Sequence, residues 1–156
     1  TNFTHSCIEQ IINSLNRRLE TERLIKSGVR YLPDRQGSWH LIHEYVFDRY
    51  VNGPLDYLEF GVYQGRSIGW WLLKLSAESN LYGFDSFVGL PEDWTRHRQK
   101  GAFDCSGEIP NMTAPNLHFI KGWFQKSLEP FLASTALKPH LVLNMDADLY
   151  SSTIYV

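Results

Sequence analysis

Residues 56–67, DYLEFGVYQGRS, constrain the fold more than any other stretch of this chain. A run with strand character, Tyr57 to Phe60, passes straight into Gly61, a second glycine follows at Gly65, and a helical pattern from Ser67 to Ser76 begins at once. A strand that turns through glycines into a helix of this length hands the chain back across a sheet, so the next strand runs parallel to the first. Leu81 to Phe84 reads as that second strand, ending at Asp85. Leu117 to Ile120 reads as a third, about Lys126 to Ser134 as a helix, and His140 to Met145 as a fourth strand ending at Asp146. The alternation predicts an α/β fold, doubly wound, with a mostly parallel sheet covered by helices on both faces.

Two further helices precede this pattern. Ile8, Ile11, Ile12, Leu15, Leu19 and Leu24 recur near a helical period between Ser6 and Lys26, with Gly28 as a stop. Ser38 is placed to cap a second helix through Tyr50, whose apolar stripe is Trp39, Ile42, Val46 and Phe47, before Gly53-Pro54 ends it. The expected organisation is a helical segment, residues 1–54, packing on a core domain of residues 55–156. Between the second and third strands, Ser86 to Pro115 carries Pro91, Gly101, Gly107 and Pro110. A segment of that length inside one domain is expected to be helix plus a mobile flap over the site.

The 156 residues are one domain's worth of chain, and a formal net charge of −2 offers nothing to nucleic acid or to an anionic membrane surface. Cys7 and Cys105, with no metal-ligand spacing around them, read as free thiols of a reducing compartment. No apolar run approaches the roughly 20 residues of a membrane span, and the polar start lacks the apolar core of a signal peptide. A soluble, cytoplasmic protein is expected.

The glycine turn admits several ligands. A P-loop needs Lys and Ser/Thr directly after its last glycine, and Arg66-Ser67 does not supply them. A dinucleotide fingerprint needs three glycines, and Tyr63 and Arg66 stand where the second and third belong. Glu59, two positions before Gly61, would repel a pyrophosphate and would pair with an ammonium group. At the carboxyl end of the second strand, Asp85 can accept both hydroxyls of a ribose, although an isolated Asp there is also a common turn former. In Met145-Asp-Ala-Asp-Leu-Tyr-Ser-Ser-Thr153, Asp146 and Asp148 are oxygen ligands suited to Mg²⁺, provided the chain has turned between them. The plain alternative is that Asp148 or Ser151 caps the next helix. Trp123, after Gly122, offers a flat face to a base or is ordinary core. Of six histidines only His97, in the long segment, is placed for general-base work, with a surface role the default.

With LEFGVYQGRS, YGFDSFVGLPEDW, FIKGWFQKSL and LVLNMDADLYSST in this order, residues 55 to 156 resemble the class I S-adenosylmethionine-dependent methyltransferases, and among them the macrocin O-methyltransferase family. The resemblance implies a Rossmann-like domain binding S-adenosylmethionine, with methyl transfer to a hydroxyl of a small molecule or sugar. Glu59, Gly61 and Gly65 would line the methionine end, Asp85 would hold the ribose, and the segment after Ile120, with Gly122 and Trp123, would border the adenine; Val62, Tyr63, Ser67 and Ser86 would also bind the cofactor. Asp146 would border the cofactor and hold Mg²⁺, and Asp146 and Asp148 would serve catalysis. Ala147 and Ser151 stand where the family usually has Gly and Glu. The chain ends at Val156, in the helix after the fourth strand, so it reads as a piece of a longer protein or one whose fourth strand is covered by another chain or a homo-oligomeric partner. The alternatives are a cofactor-binding module without catalysis and, third, an NAD-dependent oxidoreductase.

Overall fold

A computed structural model describes residues 39–156. The expected helix from Ser6 to Lys26, its stop at Gly28, the cap at Ser38 and the thiol of Cys7 lie outside the described residues. Eight elements follow in order: α1 (His40–Tyr50), β1 (Asp56–Phe60), α2 (Arg66–Lys74), β2 (Asn80–Asp85), β3 (Leu117–Lys121), α3 (Phe124–Ser134), β4 (Leu141–Met145) and α4 (Tyr150–Tyr155). The strands form one sheet in the order β3-β2-β1-β4, and every pairing is parallel. An α/β fold with a parallel sheet is therefore what this sequence makes. Residues His43–Val156 form one compact unit, which starts before the expected boundary at 55 because Val46, Phe47 and Val51 pack on its core.

Alternation along β1 sends its side chains to opposite faces of the sheet. Tyr57 joins Leu55, Ile68, Trp71, Leu81 and Phe87 on the face covered by α2, while Leu58 and Phe60 join Tyr82, Phe84, Leu128 and Phe131 on the face covered by α3. All five residues of β1 are buried, as expected of a strand enclosed on both sides. Aromatic pairs organise each layer: Tyr57 stacks on Trp71 at 4.8 Å, and Phe60 stacks on Phe84 at 4.8 Å. Phe131 of α3 stands edge-on to Phe84 at 5.0 Å. Such pairs add about 0.5–1.5 kcal/mol each beyond the burial of their area.

At the amino end of the sheet, fully buried Asp56 of β1 ties β2 and the loop before β4 to β1. It accepts hydrogen bonds from Asn80 Nδ2 (2.8 Å), Lys138 N (2.7 Å) and Lys138 Nζ (3.2 Å). Burial pushes this carboxyl up, but the bonds from Lys138 and Asn80 outweigh it and hold the group below the usual carboxylate range.

The expectation of a helix between Ser86 and Pro115 is corrected. Those residues form bends and turns with isolated bridges, Val88 to Asp104 and Thr95 to Arg98. Left-handed backbone at Phe87, Gly89, Gly101, Phe103, Ser106 and Gly107 interrupts any helical run. Asp93 and Asp104 fasten local turns by accepting from Lys100 N and Ser106 N. Among the described residues β4 is an edge of the sheet, and Leu141, Leu143 and Met145 on it are exposed. No helix among the described residues is long and apolar enough to cross a membrane.

Candidate functional site

After β3 the chain crosses back to the far side of β1 to form β4. The carboxyl ends of β1 and β4 therefore flank the point where the strand order reverses, where open α/β sheets bind ligands. Backbone bonds fix the geometry there: Gly61 N to Phe84 O, Asp146 N to Phe60 O and Gly122 N to Asp85 O, each 2.9 Å.

The turn from β1 to α2 needs its glycines for the protein's own packing. Gly61 has φ 97°, and a Cβ there would collide with the carbonyl of Asp146. Gly65 has φ 78°, and a Cβ would meet Met112 Cε at 2.9 Å and Pro110 Cγ at 3.0 Å. The close approach at these glycines is made by Asp146, just past β4, and by Met112 and Pro110 of the long segment. Tyr63, between the glycines, is left-handed as well (φ 51°) and exposed.

Asp85 holds this turn closed. Its Oδ2 accepts from Val62 N and Tyr63 N, both at 2.8 Å, and its Oδ1 accepts from Phe87 N at 2.8 Å. Any bond to a ribose hydroxyl would use the acceptor capacity these amides leave. Ser86 is engaged in the next turn, its hydroxyl donating to Gly89 O (3.4 Å) and accepting from Val88 N (3.3 Å).

Glu59 is fully buried beneath the turn. Its Oε2 accepts from Tyr57 Oη at 2.5 Å and from Asn144 Nδ2 at 3.2 Å, while Oε1 is buried with no hydrogen-bond partner among the described residues. Burial raises the pKa of this carboxyl, and Asp146 adds to the rise. Tyr57, Ser67 and Asn144 pull it back. Burial, together with the neighbouring Glu59, likewise raises the Tyr57 hydroxyl far above its ordinary value.

Past β4 the chain has turned, with Asp148 left-handed at φ 58°. Asp146 is exposed and Asp148 half-buried. Burial and the charge of Asp146 push the Asp148 carboxyl up, and Arg98 of the long segment opposes them. Arg98 also lies 5.0 Å over the ring of Phe103, which meets Tyr63 edge-on at 5.4 Å. Neither Asp148 nor Ser151 caps α4: its first residue follows Leu149 without a side-chain cap, and Ser151 Oγ donates to Glu92 Oε1 at 2.6 Å.

The structure thus brings Glu59, Gly61, Val62, Tyr63, Gly65, Ser67, Asp85 and Asp146 to the ends of three adjacent strands. Gly122 and half-buried Trp123 stand at the end of β3, with β2 between them and β1. The Trp123 carbonyl accepts from Lys126 N and Ser127 N in the first turn of α3. His97 is exposed in the tight turn from Thr95 to Arg98. Among the described residues no three His, Cys, Asp or Glu side chains converge to hold a metal, so Asp146 and Asp148 do not by themselves complete a Mg²⁺ site.

Sequence reasoning missed Tyr57, Asn144, Phe103 and Arg98. Tyr57 was within reach of the alternation rule, which puts residues 57 and 59 on one face. Asn144 meets Glu59 only through the pairing of β4 with β1. Comparison of the chain with protein-family models, with curated proteins and with solved structures gives no match.

Proposed function

We propose that residues 55–156 form a Rossmann-like domain that binds S-adenosylmethionine and transfers its methyl group to a hydroxyl of a small molecule or sugar. The observation that carries this reading is Glu59. A buried carboxylate with one orphaned oxygen, under a glycine turn at the strand-order switch, suits a ligand with an ammonium end and no phosphate. When bound, the ligand supplies a methyl group on a sulfonium. Glu59 neutralises the ammonium, the amides of Val62 and Tyr63 stay fixed by Asp85, and Ser86, Gly122 and Trp123 border the nucleoside.

The chemistry asked of the protein is positioning, and then removal of one proton. With that ligand bound, its methyl group would pass from the sulfonium to the acceptor oxygen, leaving a neutral thioether, and Asp148 would take the hydroxyl proton. Burial and Asp146 raise the basicity of that group. Asp146, exposed beside it, orients the acceptor. No step is assigned to Mg²⁺.

Thermal unfolding with S-adenosylmethionine, with S-adenosylhomocysteine and with NAD tests the reading. A ligand at about 100 times its Kd stabilises by about 2.7 kcal/mol, which the first two should show and NAD should not. Stabilisation by NAD alone, or by none of the three in folded protein, overturns it. A cofactor-binding module without catalysis would show the same shift and no methyl transfer.

A further inference from the structure

Two close donors converge on one oxygen of Glu59, and among the described residues the other has no hydrogen-bond partner. Tyr57 precedes Glu59 by two residues and so shares its face of β1, while Asn144 stands opposite Glu59 in the register of β1 with β4. Both donate to Oε2. The Tyr57 ring stacks on Trp71, whose Nε1 donates to His43 Nδ1 at 3.0 Å, and Asn144 is carried by a strand paired along its length with β1.

A carboxylate held only for structure has both oxygens satisfied, since buried polar atoms without partners are rare. Here Oε1 has no partner among the described residues although Glu59 is fully buried. The carboxylate of Asp146 is close enough to act on Glu59 with the same sign, so the locality favours a cationic donor over an anion or a neutral acceptor. The Ser67 hydroxyl, at the start of α2, is a third donor near the carboxyl and helps to lower its pKa, but it makes no hydrogen bond as close as those of Tyr57 and Asn144. Glu59 has no exposed surface, so a donor reaches Oε1 only as the packing over it opens.

We infer that Tyr57 and Asn144 are positioning residues, which occupy Oε2 of Glu59 and so reserve Oε1 for the ammonium of an amino-acid-bearing ligand. This rests on the S-adenosylmethionine reading and adds the two side chains that aim its acid.

The test compares two probes by calorimetric titration: S-adenosylhomocysteine, which has the amino-acid end, and 5′-methylthioadenosine, which keeps the adenosine and thioether but lacks that end. Tyr57→Phe keeps the stack on Trp71 and removes only the hydroxyl. Asn144→Ala is the independent variant should the first not fold, and Glu59→Gln removes the charge itself. Each of the first two should weaken S-adenosylhomocysteine about tenfold, the worth of one hydrogen bond to a charged group, and leave methylthioadenosine within about twofold. Glu59→Gln should nearly abolish the preference. Equal losses for both probes, or no loss for either, would overturn the positioning role while the cofactor reading stands. Wild-type protein that binds neither probe would overturn both.

Discussion

Replacing Asp85 by Ala should cost about 2–4 kcal/mol of stability before any ligand is considered. The carboxylate accepts three backbone N–H groups at 2.8 Å: Val62 and Tyr63 in the glycine turn, and Phe87 at the start of the long segment. Tyr63 is exposed and its amide can turn to water, whereas Val62 and Phe87 are buried. Each buried donor left without a partner costs about 1–3 kcal/mol. Two of them, partly relieved by local opening, give the stated range. In a chain of this size that lowers Tm by roughly 5–15 °C. Urea unfolding followed by tryptophan fluorescence measures it, read as a midpoint change at constant slope. Asp85→Asn, which keeps one acceptor oxygen, should fall between wild type and Asp85→Ala. A loss below about 0.5 kcal/mol for Asp85→Ala would refute the argument that this side chain clamps the turn. The prediction also changes how ligand-binding losses in Asp85 variants are read, because the same substitution loosens the turn that would hold the ligand.

Other predictions follow from the same geometry. Asp56 stabilises the fold at pH values above the ordinary carboxylate range, and the contribution is lost as pH falls through its depressed folded-state value, so Asp56→Asn should flatten the acid limb of stability measured from pH 7 to pH 3. Gly61→Ala should destabilise by about 2–4 kcal/mol, since it combines a left-handed backbone with a clash against the Asp146 carbonyl; Gly53→Ala, with open space around it, should change the urea midpoint little. Leu143→Lys, on the exposed edge strand, should cost less than about 0.5 kcal/mol in this chain and reduce self-association seen by light scattering.

The sheet was legible because its strands are short apolar runs closed by glycine or aspartate, and observed boundaries fall within two residues of those expected. β1 begins at Asp56 where Tyr57 was expected, because Asp56 pairs in register with Asn80 and Leu141. The long segment was misread because proline and glycine punctuation does not reveal that Phe87, Phe103 and Ser106 also adopt left-handed backbone. Glu59 stood out as an acid in an apolar strand, but its depth and its bond to Asn144 depend on β4 lying beside β1, a contact across 85 residues. Asp85 was recognised as an acid at a strand end. That it clamps the turn depends on 2.8 Å contacts with amides 22 and 23 residues earlier, which no spacing rule conveys.

The most direct test of the account is an amide chemical-shift titration of the protein with S-adenosylhomocysteine. The account predicts saturable changes concentrated at Val62, Tyr63, Gly65, Asp85, Ser86 and Gly122, at the carboxyl ends of β1, β2 and β3. Saturable changes confined to the cleft between Phe47, Pro54 and Lys74, at the other end of β1, or no changes at ligand concentrations up to the millimolar range, would contradict it.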